Sequence, residues 1–113
     1  MTTSNSLTRV PPAAVAQGLR VLGANLRIAR IRRRLTIQEV AEKIGTGVRA
    51  VSDAEKGKPS TAVAVYVALL WAYGLLSDFQ MLADPGRDAE GISRALHREN
   101  KRVRKAGVLD NDF

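Results

Sequence analysis

Cysteine is absent from the 113-residue chain, histidine occurs once, and the aromatics are one tryptophan, two tyrosines and two phenylalanines. Without cysteine there is no disulfide framework, no thiolate nucleophile and no thiolate-ligated zinc. That composition suits a reducing compartment. The single histidine, His97, lies in a basic segment with no acid pair, metal-ligand spacing or glycine-rich phosphate loop beside it. It reads as a solvated residue, and the chain as a non-enzyme needing no cofactor and no metal. The scarcity of aromatics removes the stacking platforms that favour RNA. The longest apolar run, Ala62 to Tyr73, is far short of the roughly 20 residues that span a bilayer. Residues 1–18 lack the charged start and apolar stretch of a signal peptide. The expectation is a cytoplasmic protein with no membrane partner.

Acidic residues are also missing where basic ones gather. Residues 20–34 hold Arg20, Arg27, Arg30, Arg32, Arg33 and Arg34 and no acid. A second group, Arg94, Arg98, Lys101, Arg102, Arg104 and Lys105, is relieved only by Glu99. The formal net charge is +7, with a pI near 10.6. Such an excess suits a polyanionic partner, although any one arginine can equally be part of a solvated surface.

Hydrophobic periodicity is helical throughout, and the length allows one small domain with tails. Residues 1–16, Ser/Thr-rich and ending near Pro11-Pro12, read as a flexible arm. Leu22, Leu26 and Ala29 then form one stripe of a helix beginning near Leu19, with Ile28 and Ile31 off that stripe as extra core or a partner-facing surface. Thr36 and Glu39 make a T-x-x-E capping box for a second helix. Its inward residues are Val40, Ala41 and Ile44, and Gly45 ends it. Gly47 falls at the N-cap of a third helix, with Val51, Ala54 and Glu55 on one side and Val48, Arg49, Ser52, Asp53 and Lys56 on the other.

A fourth helix, Thr61 to Tyr73, offers Val63, Tyr66, Val67, Leu70 and Tyr73 as its buried stripe, leaving Val65, Leu69 and Trp71 nearer the surface. A short fifth, Ser77 to Ala83, presents Phe79 and Leu82. Asp84-Pro85-Gly86 closes the domain. The expected architecture is all-α, with five helices in a domain of residues 17–85. Residues 86–113 form a basic and then acidic tail, in which 87–99 could be helical with Ile92, Ala95 and Leu96 on one side. Such a tail is either disordered or a segment that orders on binding.

The helix pair from Leu35 to Lys58, joined by a tight glycine-containing turn, carries a recognisable pattern. Leu35-Thr36, Ala41 to Gly45, Ser52 three residues before Glu55, and Glu55-Lys56-Gly57 together resemble the Cro/Xre-type helix-turn-helix family of phage and bacterial repressors. The resemblance runs from about Leu19 to Pro85 and implies a Cro/lambda-repressor-like fold that binds double-stranded DNA, its third helix in the major groove. By position, the family's base-reading residues fall on Gly47, Val48, Arg49, Ser52 and Asp53. The chemistry of three fits: Arg49 can donate twice to guanine, Val48 can pack on a thymine methyl, and Asp53 can accept from cytosine. Asp53 could equally orient a guanidinium or sit in a helix-surface ion pair. The resemblance also pairs Arg30 with Glu55 as a structural ion pair.

There are two departures from the pattern. Ile37 stands where the family has a phosphate-binding glutamine, with Gln38 one place later, and Gly47 replaces a serine or threonine. Backbone N–H groups at the helix start can still bind a phosphate. Arg33, Arg34, Thr36, Gln38, Lys43, Gly47 and Lys58 are thus the candidates for phosphate contact, which positions a protein without reading sequence. One such domain reads only a few base pairs, so a homodimer is expected, with Leu76, Phe79 and Leu82 at the two-fold contact.

Residues 74–105, followed by an acidic end at Phe113, are similar to small antitoxins of HipB-like type. That similarity implies an autorepressing, nucleoid-associated operon regulator that also binds a kinase-like toxin. The alternative is a stand-alone phage-type or chromosomal repressor without a toxin partner.

Overall fold

We describe residues 6–111 of a computed structural model, with side chains as far as Lys105. The start of the expected arm, residues 1–5, and the end of the acidic tail, Asp112 and Phe113, lie outside the described residues. The chain divides into two compact units, residues 1–79 and 80–113. Among the described residues there are seven α-helices and no strand. None of these helices is long and apolar enough to cross a membrane.

In the first unit, α1 is a single turn, Ser6–Arg9, and α2 runs from Ala13 to Arg32. Pro11 and Pro12 separate the two, and Pro12 stands as the N-cap of α2. α2 therefore begins well before Leu19, inside the stretch read as an arm. Its first turns, Ala13 to Gln17, contain good helix formers once the prolines are passed.

α2 ends on a left-handed residue, Arg34, at φ 55°. The amide of Arg34 donates to Ile31 O at 2.9 Å and that of Leu35 to Arg30 O at 3.3 Å, the double closure usually built on glycine. An arginine there costs about 1–2 kcal/mol relative to a right-handed conformation.

α3 (Ile37–Ile44) and α4 (Val48–Glu55) follow. Thr36 accepts from the Glu39 amide, and the Glu39 carboxylate accepts from the Thr36 amide, so the capping box is complete. Hydrogen bonds from the Thr36 backbone first, and from its side chain second, hold the Glu39 carboxyl below its ordinary range. The turn between α3 and α4 is Gly45-Thr46-Gly47, with Gly45 left-handed and Gly47 the N-cap of α4.

α4 packs on α2, α3 and α5 (Val63–Ala72), and so lies at the centre of the unit. The core is Leu26 and Ala29 from α2, Val40 and Ala41 from α3, Val51 and Ala54 from α4, and Tyr66, Leu69 and Tyr73 from α5 and its end. Ile28 and Ile31 are about half exposed and stand outside it.

α5 buries Tyr66, with Tyr73 just after its end, as expected, but departs from the expected stripe at two positions. Leu69 is fully buried, whereas Val63 is 68% exposed. The helix is apolar all round, VAVYVALLWA, so its periodicity names no face. Tyr66 decides the matter, because its hydroxyl donates to Lys58 O at 2.9 Å and fixes the rotation of the helix.

α6 is shorter than expected, Leu76–Gln80. Ala83 at φ 56° breaks the path, and a 3-10 turn, Pro85–Arg87, comes next. In the second unit, α7 is one continuous helix, Ala89–Asn111, in place of a segment ending near residue 99. Asp88 Oδ1 accepts from the Gly91 amide at 3.0 Å and starts it. No proline interrupts the run that follows.

Glycine 23 is required where α2 meets the end of α4. A Cβ there would lie 2.5 Å from Ala54 O and 2.7 Å from Glu55 O and Gly57 N. All three are backbone atoms that cannot rotate away. Gly23→Ala is expected to lower stability by about 1–3 kcal/mol through overpacking, even though alanine is the better helix former. Urea unfolding with an unchanged m-value would measure this.

Candidate nucleic-acid interface

The recognition helix of a helix-turn-helix must be held firmly while one side stays open. In α4 the firm side begins with Val51 and Ala54, both fully buried. Glu55 completes it. Arg30 Nε donates to Glu55 Oε2 at 2.7 Å and Arg30 Nη2 to Oε1 at 3.1 Å. The third arm, Arg30 Nη1, donates to Leu35 O at 2.9 Å. One guanidinium thus ties α2 to the end of α4 and to the start of the helix pair. The side chains are only 12% and 6% exposed, and the hydrogen bonds donated to Glu55 push the Arg30 pKa up.

Beside this pair lies Tyr73. Its hydroxyl is buried and has no hydrogen-bond partner among the described residues. Burial first, and the Glu55 charge second, push its pKa up to about 12.

The open side carries Val48, half exposed, and Arg49, exposed. Arg49 has no hydrogen bond or ion pair among the described residues, so all its donors face solvent. Ser52 and Asp53, one turn on, are partly buried. Asp53 Oδ1 takes Lys58 Nζ at 3.1 Å, which ties its carboxylate to the loop after α4. Gly47 is extended, with φ −81° and ψ 158°, and has no side-chain cap, so the first amides of α4 lack an intramolecular cap.

The residues read as phosphate contacts separate into groups. Lys43 and Arg34 are exposed. Thr36 is exposed, and its Oγ1 accepts from the Glu39 amide at 3.0 Å within the capping box. Gln38 Nε2 lies 3.5 Å from Glu42 Oε1, a weak tether. Arg33 is placed differently. Its Nη1 donates to Ala29 O at 2.9 Å and its Nη2 to Tyr73 O at 2.8 Å, while its guanidinium lies 5.5 Å from the Tyr73 ring. It fastens the end of α2 to the end of α5. The same Arg-rich composition therefore serves two purposes, and the long-range contacts with Tyr73 set Arg33 apart from its neighbours.

The three residues read as a dimer contact are also not equivalent. Leu76 and Phe79 are half-buried in the first unit. Leu82 is 68% exposed, follows the end of α6 and belongs to the second unit. Sequence reasoning also missed Arg9 and Arg20, which share a cleft with Lys56 and Lys58. Among the described residues no group of histidines and acids could hold a metal ion.

A family model described as a helix-turn-helix domain matches residues 21–78. That match spans just over half of the chain, from α2 into α6, and the chain belongs to this helix-turn-helix family. The assignment is consistent with the Cro/Xre-type resemblance and makes the domain one of a DNA-binding class. No curated protein and no solved structure matches the chain.

Removal of one partner from the buried pair leaves an uncompensated charge, so Arg30→Ala is expected to cost about 3–5 kcal/mol. Tyr73→Phe, which removes only an unpaired hydroxyl, is expected to be neutral or stabilising by about 1 kcal/mol. Chemical denaturation of both variants against the parent protein checks the contrast.

Proposed function

We propose that this chain is a sequence-specific transcriptional repressor that binds operator DNA as a homodimer. The observation that carries the reading is α4. It is anchored through Val51, Ala54 and Glu55, and offers Val48 and an unpaired Arg49 outward. Arg49 is the proposed base reader, by two donors to guanine O6 and N7, and Val48 supports it through a thymine methyl. Ser52 is a shorter-range contact. Asp53, occupied by Lys58, is assigned to shaping this edge. Arg34, Thr36, Gln38, Lys43, Lys58 and the open amides after Gly47 are the proposed phosphate contacts.

Arg49→Ala should weaken binding to the chain's own promoter by about 1–3 kcal/mol and relax preference at one base pair per half-site. A footprint on that promoter supplies the cognate site, and competition with random duplex supplies the comparison. An equal loss on both duplexes would reassign Arg49 to a phosphate.

Two recognition helices on one operator would sit about one DNA turn, roughly 34 Å, apart. The half-buried Leu76 and Phe79 are the residues proposed for the two-fold contact. Sedimentation is expected to show a dimer, and a species that stays monomeric on DNA at high concentration would refute the arrangement.

A second reading adds a protein partner: an antitoxin that represses its own operon and binds a kinase-like toxin. It rests on α7, whose Ile92, Leu96 and Val103 are 43%, 54% and 64% exposed along one side of the helix. A long amphipathic helix without apolar cover suits docking in a groove of a larger protein. The product of an adjacent kinase-like gene should be retained by full-length chain and lost when residues 87–113 are deleted. Equal retention by both would favour the stand-alone repressor.

A further inference from the structure

The first unit holds a cleft of about 290 Å³ in which cations from three separate parts of the chain converge. Arg9 comes from the end of α1, Arg20 from α2, and Lys56 and Lys58 from the loop that leaves α4. No carboxylate lines it among the described residues. Among the described residues, only Lys58 of these four has an acidic partner, Asp53, at a site still 45% exposed on the lysine side. Arg20 donates to the amide oxygen of Gln17 at 2.9 Å, which leaves its charge uncompensated.

The loop bearing the two lysines is fixed. Gly57 is buried at φ 70°, and a Cβ on it would overlap the backbone of Leu19 and Arg20. That close approach sets the loop directly against α2 and brings Arg20 to the lysines. The carbonyl of Lys58 accepts from Tyr66 Oη at 2.9 Å and from the Thr61 amide at 3.1 Å, while its own amide donates to Asp53 O at 3.1 Å. The cations therefore surround a preformed space, and ordering the backbone adds little to the cost of filling it.

Like charges are held this close at a cost unless an anion joins them, and a tetrahedral oxyanion accepts from several such donors at once. We infer that this cleft binds a phosphate group. Resting on the DNA-binding reading above, we assign that phosphate to the DNA backbone beside the exit of the recognition helix. The Asp53–Lys58 pair connects the cleft to the side of α4 that bears Arg49. Lys58, 45% exposed, can reach the phosphate while Asp53 orients it. Arg9 and Arg20 then add contacts from outside the helix-turn-helix pair, so the footprint is wider than that motif alone provides.

The test is the double variant Arg9→Gln/Arg20→Gln. The slope of log affinity against log salt is expected to become shallower by about 0.9 per lost contact. Affinity should fall equally for operator and random duplex, with the unfolding midpoint unchanged. A lower midpoint with an unaltered salt slope would overturn the inference, since the cations would then only stabilise the end of α4.

A titration with inorganic phosphate separates the sources of the anion. Saturating shifts of the Arg9, Gly57 and Lys58 amides in the parent protein, lost in the double variant, would show that the cleft takes phosphate. If those shifts appear while the parent chain binds no duplex, the cleft stands as a site for free phosphate and the DNA reading fails separately. If neither the salt slope nor the amides respond, the cleft is not a phosphate site.

Discussion

The bidentate contact between Arg30 and Glu55 governs how the helix pair is presented, because three pieces of chain meet at one guanidinium. Glu55 lies at the carboxyl end of α4, where the helix dipole disfavours a negative charge. It is stable there because Arg30 meets both of its oxygens, and the third hydrogen bond of Arg30 holds the Leu35 carbonyl at the entrance to α3. Neither charge would be buried alone. The ion pair therefore works as a geometric requirement: α4 can lie against α2 in only one position if both groups are to be satisfied.

That position leaves no room for side chains at the crossing. Gly23 on α2 faces the last carbonyls of α4, and Gly57 faces the backbone of Leu19 and Arg20. Two helices in backbone contact transmit little slack, so the free face of α4 is held by the core of the unit. A rigid scaffold is what base reading needs, since a hydrogen bond to a base edge tolerates only small displacements. The arginines of residues 20–34 divide accordingly. Arg30 holds α4, Arg33 ties α2 to α5, and Arg34 accepts a left-handed backbone and stays exposed.

The second unit follows a different logic. Among its described side chains α7 leaves Ile92, Leu96 and Val103 exposed, and Arg94, Arg98, Lys101 and Lys105 recur at helical spacing on the opposite side. The exposed pair Glu90–Arg94 adds little to its stability.

The sequence by itself determined the features that depend on near neighbours. The Thr36–Glu39 capping box, the left-handed Gly45 and the Gly47 N-cap rest on hydrogen bonds within a few residues, and so do the helix-turn-helix and its open face. Periodicity also placed Leu26, Ala29, Val40, Val51 and Ala54 in the core, because each recurs at helical spacing on a helix whose other sides carry polar residues. Where such contrast is lacking, only tertiary structure could decide. α5 is apolar on every side, so the burial of Leu69 over Val63 had to await Tyr66 and its bond to Lys58. Arg33 is held by a carbonyl 40 residues away, which nothing in the local run of arginines announces. The cleft of Arg9, Arg20, Lys56 and Lys58 exists because Gly57 lets a loop touch α2. Such groupings follow from how helices cross, and the spacing of residues along one chain carries no record of a crossing.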